Sequence, residues 1–185
     1  MSDLLFPLST LAATAPDIPA ARLSALPPAT RLVFRGREAA IGPAGIAFGA
    51  ELPRQACRFK RSGDRLAAWL GPDEWLLLAE DADPAALIAE IEPAVFGLPH
   101  ALADVSSRSL GIALEGPRAA YVLNQGCPLD LSETAFPVGM VTRTVFAKAE
   151  IVLLREAPER FRLDVWRSFA PYVWGLLEEA RRELA

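Results

Sequence analysis

Residues Ala103 to Leu131 read A-D-V-S-S-R-S-L-G-I-A-L-E-G-P-R-A-A-Y-V-L-N-Q-G-C-P-L-D-L. Leu110, Ile112 and Leu114 alternate with smaller or polar residues, so they share one face of a strand. Gly116 breaks that strand, and Pro117 suits the first position of a helix, where its missing N–H is not needed. Ala119, Val122 and Leu123 then give the helix one apolar face. Gly126 follows the last helical residue and is expected in the left-handed conformation that ends a helix. Pro128 prevents a restart. The stretch specifies a strand–helix unit punctuated at both ends.

Downstream, three strands are predicted: Val141 to Ala147, Ile151 to Arg155 and Arg160 to Trp166. The run Ile151-Val152-Leu153-Leu154 is apolar on both faces, as for a strand inside a sheet. In the last strand Phe161, Leu163 and Val165 point one way, and Arg162, Asp164 and Trp166 the other. Ser168 is placed to cap a final helix, with Pro171 in its first turn. Phe169, Tyr172, Val173, Leu176, Leu177, Ala180 and Leu184 follow the helical period and form the expected buried face. Trp174 falls off that face, on a stripe with Glu178 and Arg181, which suggests contact with another protein.

Upstream, strands are expected at Arg31 to Arg35 and His100 to Val105. Short strands at Cys57 to Lys60, Leu66 to Leu70 and Trp75 to Ala79 are joined by the turns Ser62-Gly63-Asp64 and Gly71-Pro72-Asp73. Ala40 to Pro53, rich in Gly and Pro, reads as a loop with room for a short strand. Asp83 caps a helix opening at Pro84, with Leu87, Ile88 and Ile91 on its core face and Pro93 limiting its length. The fold class is therefore α+β, antiparallel sheets carrying helices. The divisions are an N-terminal arm (1–30) and one domain (31–185) in two halves, 31–102 and 103–185. The arm's prolines rule out one long helix, yet Leu4, Leu5, Phe6, Leu8 and Leu11 are too apolar for a solvated tail. It lies either over its own domain or on another subunit.

The string D-V-S-x-R, the G-P-R-A turn and G-C-P-L-D-L resemble the gamma subunit family of heterotetrameric sarcosine oxidase. F-A-K-A-E-I-V-L-L-R and F-R-L-D-V-W-R-S-F-A-P-Y-V-W-G-L-L are similar to that family's second half, in order and spacing. The resemblance runs from about Trp69 to Leu184. The wider relatives are the folate-binding domains of aminomethyltransferases, and the likeness implies two ferredoxin-like halves. It also implies a complex in which alpha, beta and delta subunits hold FAD, FMN, NAD, tetrahydrofolate and zinc. That complex demethylates sarcosine oxidatively to glycine, releasing hydrogen peroxide and formaldehyde or methylene-tetrahydrofolate. The implied role of this chain is structural, with no cofactor of its own. The alternative is a free-standing tetrahydrofolate-binding or aminomethyl-transferring protein.

The net charge of -4 and the lack of a basic stripe argue against nucleic acid. The N-terminus has no basic region followed by a long apolar run, and no stretch approaches the ~18 apolar residues of a membrane helix. A soluble cytoplasmic protein is expected. One His and two Cys, widely separated, make no zinc spacing, and no nucleotide-binding glycine loop or nucleophile elbow is present. Cys127 follows a helix C-terminus, where the dipole disfavours a thiolate, and G-C-P lacks the longer cysteine motif of iron–sulfur maintenance relatives. Two carboxylates stand as candidate cofactor contacts. Asp104 is placed either to reach a ligand pocket or to bond backbone or Arg108. Glu150 lies where the resemblance places a folate-facing acid, but Ala147-Lys148-Ala149 stands in place of the glycines that let a ligand approach. No catalytic residue and no metal ligand is assigned. The interface candidates are Phe6, Leu8, Leu11, Trp166, Trp174 and Arg181.

Overall fold

A computed structural model describes residues 8–185, so Phe6 lies outside the described residues. The chain forms two compact units: residues 28–106, and residues 107–185 joined by the N-terminal segment up to Pro27.

The 28–106 unit is a five-stranded antiparallel sheet with two helices. Its elements are β2 (Thr30–Gly36), α2 (Glu38–Phe48), β3 (Phe59–Ser62), β4 (Arg65–Gly71), β5 (Glu74–Ala79), α3 (Pro84–Ala94) and β6 (His100–Asp104). The sheet order is β3-β4-β5-β2-β6. Taken as β2-α2-β4-β5-α3-β6, this is the ferredoxin-like plan with β3 added outside β4. Leu32, Phe34, Trp75, Leu77 and Ala79 face the helices, meeting Ala40, Ile41, Ala44 and Phe48 of α2 and Leu87 and Ile91 of α3. The β3–β4 turn uses Gly63 at φ 57°, and Asp83 caps α3 by accepting from the Ala86 N–H at 3.0 Å.

The segment expected as a loop, Ala40 to Pro53, is instead mostly the helix α2, with Pro43 inside it. Ala40, Ile41, Ala44 and Phe48 recur at helical spacing and bury one face, and that packing overrides the local preference of Gly42, Pro43 and Gly45. Gly45 is there for space: a Cβ on it would lie 3.2 Å from the Ala50 carbonyl oxygen and the Leu52 nitrogen. Gly49, at φ 77°, ends the helix.

The second unit contains α1 (Ser9–Thr14), β1 (Arg22–Ala25), β7 (Ser109–Glu115), α4 (Ala119–Leu123), β8 (Val141–Phe146), β9 (Ala149–Ala157), β10 (Arg160–Trp166) and α5 (Ala170–Arg181). Its sheet order is β1-β7-β10-β9-β8, antiparallel throughout. The same plan is present: β7, α4, β9, β10 and α5 supply three strands and both helices, with β8 added outside β9. The fourth strand, beside β7, is β1 from the other end of the chain. Arg22 pairs with Glu115 and Ala25 with Ile112. Residues 8–27, expected as an arm, thus contribute a strand and buried apolar side chains to this unit. Leu8, Ala21 and Leu23 join Ile112, Leu114, Val122, Leu163 and Val173 in its core.

Gly116 ends β7 as expected, whereas Gly126 differs from expectation. Gly126 is not left-handed; the positive-φ residue is Gly116, at 131°. A Cβ on Gly116 would sit 2.6 Å from the carbonyl oxygens of Pro19 and Ala20. Gly126 is needed for another reason, since a Cβ there would lie 2.8 Å from the Phe146 ring. Pro117 sits in the turn before α4 rather than in its first position.

Candidate functional site

The D-V-S strand end is a hydrogen-bonded knot. One carboxylate oxygen of Asp104 accepts from the Ser106 N–H at 2.9 Å and from its hydroxyl at 2.5 Å. The same Ser106 oxygen accepts from the Arg31 N–H at 3.0 Å. Asp104 therefore closes a side-chain turn that ties the end of β6 to the start of β2, so its bonds go to backbone and Ser106, with none to Arg108. His100 is similarly engaged: its ring lies near-parallel to Phe34 at 6.3 Å, with Nδ1 2.8 Å from the Leu98 carbonyl oxygen and Nε2 3.1 Å from Glu92. The Leu98 carbonyl first, and the Glu92 carboxylate after it, favour the protonated ring and raise its pKa above the ordinary value of 6.5, against the opposing effect of burial.

The motif G-C-P-L-D-L is a structural loop. Asn124 Nδ2 donates to the Leu129 carbonyl at 2.6 Å, and Asp130 accepts from the Ser132 N–H at 2.9 Å, which holds its carboxyl below the usual range. Cys127 is buried, and its N–H donates to the Leu123 carbonyl at 2.8 Å. The loop is clamped by Arg155, the last residue of F-A-K-A-E-I-V-L-L-R. Its guanidinium is buried and donates to the carbonyls of Leu131 (3.1 Å), Phe136 (2.9 Å) and Pro158 (2.5 Å). Two of the stretches that carry the family likeness thus hold one another in place.

Glu150 lies near the β8–β9 turn, exposed and opposite Val145. Ala147, in the turn, takes φ 51°, a conformation that costs an alanine about 1 kcal/mol and a glycine little. Its N–H donates to the Gly126 carbonyl at 2.8 Å, fixing the turn against the end of α4. A groove of about 600 Å³ opens beside it, lined by Tyr121, Gln125, Phe146, Leu176, Glu179 and Glu183 among others. Its acids are engaged: Tyr121 donates to Glu183 at 2.5 Å, which pushes the phenol's pKa up, and Glu179 pairs with Arg182. A folate site built on a glycine pair before an acid does not fit these residues, because a methyl and a lysine side chain stand where the backbone would have to be bare. Among the described residues, no three His, Cys, Asp or Glu side chains are grouped to hold a metal ion. No helix of the described chain is long and apolar enough to cross a membrane.

The structure corrects the placement of two interface candidates. Trp174 and Arg181 are both buried, Trp174 at 2% exposure and Arg181 at 0%. Helix α5 presents Ala170, Val173, Trp174, Leu177 and Arg181 to the core, while Phe169 and Tyr172, expected inside, are about two-fifths exposed. Ser168 does not cap the helix, which starts at Ala170. The desolvation of Arg181 is offset by donation to the Ala21 carbonyl at 3.0 Å, the Pro16 carbonyl at 2.9 Å and the Glu178 carboxylate at 2.8 Å. Of the other candidates, Leu8 is buried in its own unit, while Leu11 and Trp166 are exposed. On the strand that carries Trp166, Arg162 and Asp164 form a buried ion pair at 3.0 Å. Phe169 and Tyr172 read from sequence as buried because consecutive apolar residues from Phe169 to Leu177 fit more than one helical face. The neutrality of that run, with no charge from Ser168 to Leu177, was the available signal.

Comparison with known proteins agrees with this geometry. The model of the sarcosine oxidase, gamma subunit family matches residues 37–183. The sarcosine oxidase subunit gamma of Corynebacterium sp. (strain U-96) is 31% identical over 159 residues, covering 84% of this chain and 77% of that one. A chain in the structure of heterotetrameric sarcosine oxidase from Corynebacterium sp. U-96, in complex with pyrrole 2-carboxylate, superposes with a TM-score of 0.88 at 29% identity. That match covers 96% of this chain and 94% of the other. The glycine cleavage system aminomethyltransferase T of Bartonella henselae shares the fold, with a TM-score of 0.63 at 17% identity over 87% of this chain and 46% of its own. On the extent of the family match and the identity to its members, the chain belongs to the sarcosine oxidase gamma subunit family.

Proposed function

We propose that this chain is the gamma subunit of a heterotetrameric sarcosine oxidase and that its role in the complex is structural. The observation that carries the proposal is the superposition over nearly the whole length of both chains with a chain of such a complex. A structural role is supported by what the polar residues of the family motifs do. Asp104, Ser106, Asp130 and Arg155 are engaged in holding backbone. In this reading the alpha, beta and delta subunits carry FAD, FMN, NAD, tetrahydrofolate and zinc, and the assembly is cytoplasmic. Sarcosine, dioxygen and water become glycine, formaldehyde and hydrogen peroxide, or the one-carbon unit leaves on tetrahydrofolate.

The test is co-expression with the three remaining subunits. The chain should co-purify with them in one complex, and the flavin should stay with the others on dissociation. The isolated chain is expected to be colourless and without oxidase activity. Stoichiometric FAD or FMN on the isolated chain would refute the structural assignment. Glu150→Gln in the assembled complex is expected to change sarcosine turnover little. A large fall in folate-dependent product with assembly intact would make Glu150 a ligand contact.

A further inference from the structure

The last turn of α3 is weakly held by its own backbone. The Val95 N–H reaches the Ile91 carbonyl at 3.3 Å and the Phe96 N–H reaches the Pro93 carbonyl at 3.4 Å, both long for hydrogen bonds. Pro93, inside the helix, has no N–H to give. Glu92 adds a carboxylate to this final turn, and the turn holds no basic residue. The partial negative charge of a helix C-terminus disfavours an acid and favours a cation there. Gly97, at φ 79°, then turns the chain toward β6.

His100, the first residue of β6, supplies the missing cation from another element. Its Nδ1 lies 2.8 Å from the Leu98 carbonyl oxygen and its Nε2 lies 3.1 Å from the Glu92 carboxylate. A carbonyl and an ionised carboxylate only accept, and a neutral imidazole carries a single N–H. Both contacts are therefore satisfied together only when the ring carries two protons. The ring is stacked on Phe34 and its side chain is 16% exposed, against 47% for Glu92, so the acid is the partner free to move. Other charges on the neighbouring elements are paired: Glu90 of α3 with Arg65, Arg35 of β2 with Asp73, and Glu38 of α2 with Arg54. Arg37, between β2 and α2, is exposed. The charge that acts on the ring is the Glu92 carboxylate.

We propose that His100 and Glu92 form a proton-dependent latch: with both ring nitrogens protonated, His100 ties the end of α3 to the start of β6, and loss of one proton to solvent releases Glu92. The Leu98 carbonyl keeps the remaining N–H, because it is the shorter contact and is fixed by backbone. Glu92 turns to water. The last turn of α3 is then left with an acid at its C-terminus and no cation beside it, and it frays. One residue past that helix and its cap stands Phe96, at 89% the most exposed large apolar side chain among the described residues. The latch thus sets how firmly this phenylalanine is presented, without unfolding the unit that carries it.

The test follows the full-length chain by NMR. The His100 ring protons should titrate with a midpoint above the ordinary 6.5, and Glu92→Gln should lower that midpoint. Amide protection at Val95 and Phe96, corrected for the intrinsic exchange rate, should fall about 3- to 10-fold from about pH 6 to about pH 8.5, the effect of losing one hydrogen bond. In His100→Gln and in Glu92→Gln the protection of these two amides should stay level across that range. Glu92 is half exposed, so its variant keeps the test decisive even where His100→Gln fails to fold. A ring that titrates at or below 6.5, or protection at Val95 and Phe96 that does not change with pH in the parent chain, refutes the latch. An equal fall in the β3–β4 hairpin refutes it as well, because the change would then belong to the whole unit.

Discussion

Gly116 is the residue on which the join between the N-terminal segment and β7 depends. Its positive φ and the two carbonyl oxygens 2.6 Å from the Cβ position leave no room for a side chain. Gly116→Ala should cost at least about 2 kcal/mol. At Gly126 the obstacle is only the Phe146 ring, so Gly126→Ala should cost less, about 1 kcal/mol. Denaturant melts of the two variants would order them, and equal midpoints would contradict the assignment of roles. His100, the chain's single histidine, offers a test by pH. Its pKa is raised by the Leu98 carbonyl and then by Glu92. The contribution is therefore fully present below the unfolded value of 6.5 and lost as pH rises through the folded value. Melting temperatures from about pH 5 to about 8 should fall more steeply for the parent chain than for His100→Gln. Parallel curves would show that the ring's two contacts do not favour its charged form.

Helix α5 shows where sequence periodicity stops being informative. Phe169 to Leu177 contains apolar residues on most sides, so the period alone admits two faces about one residue apart. The choice is made by Trp174 filling the core and by Arg181, whose partners Ala21 and Pro16 lie 160 and 165 residues earlier. Trp174→Ala should accordingly cost about 3 to 5 kcal/mol of stability, as for other buried large-to-small changes. A change below about 1 kcal/mol in a denaturant melt would return Trp174 to the surface. The elements fixed by local rules were legible: the Asp83 cap, the Gly63 turn and the alternating strands from Phe161 to Val165 all lie where spacing puts them. Helix α2 was not, because Gly42, Pro43 and Gly45 oppose a helix locally and only the packing of Ala40, Ile41, Ala44 and Phe48 outweighs them. The candidate acids were visible as residues, but not the partners that occupy them. Nothing in D-V-S says that Asp104 will close on Ser106 and that Ser106 will hold Arg31.

At the scale of the whole molecule, the two units share one plan with different connectivity: the 28–106 unit takes its fourth strand in sequence, and the other takes it from the N-terminal segment. Among the described residues, a chain beginning at Pro28 loses β1, Leu8, Ala21 and Leu23 from one core and nothing from the other. Limited proteolysis of that truncation should spare 28–106 and digest 107–185. Equal resistance of both units would mean that β1 is dispensable. The same exchange of strands has an effect on the order of events at the ribosome. Domains fold as units while the chain emerges at about 5 to 20 residues per second. β1 leaves the ribosome first, but β7, its partner, follows only after the entire 28–106 unit. For those seconds Leu8, Ala21 and Leu23 have no core to enter, and the nascent chain carries a folded unit behind an unpaired strand. That interval is when a chaperone, or an early-arriving subunit, would find this protein most receptive.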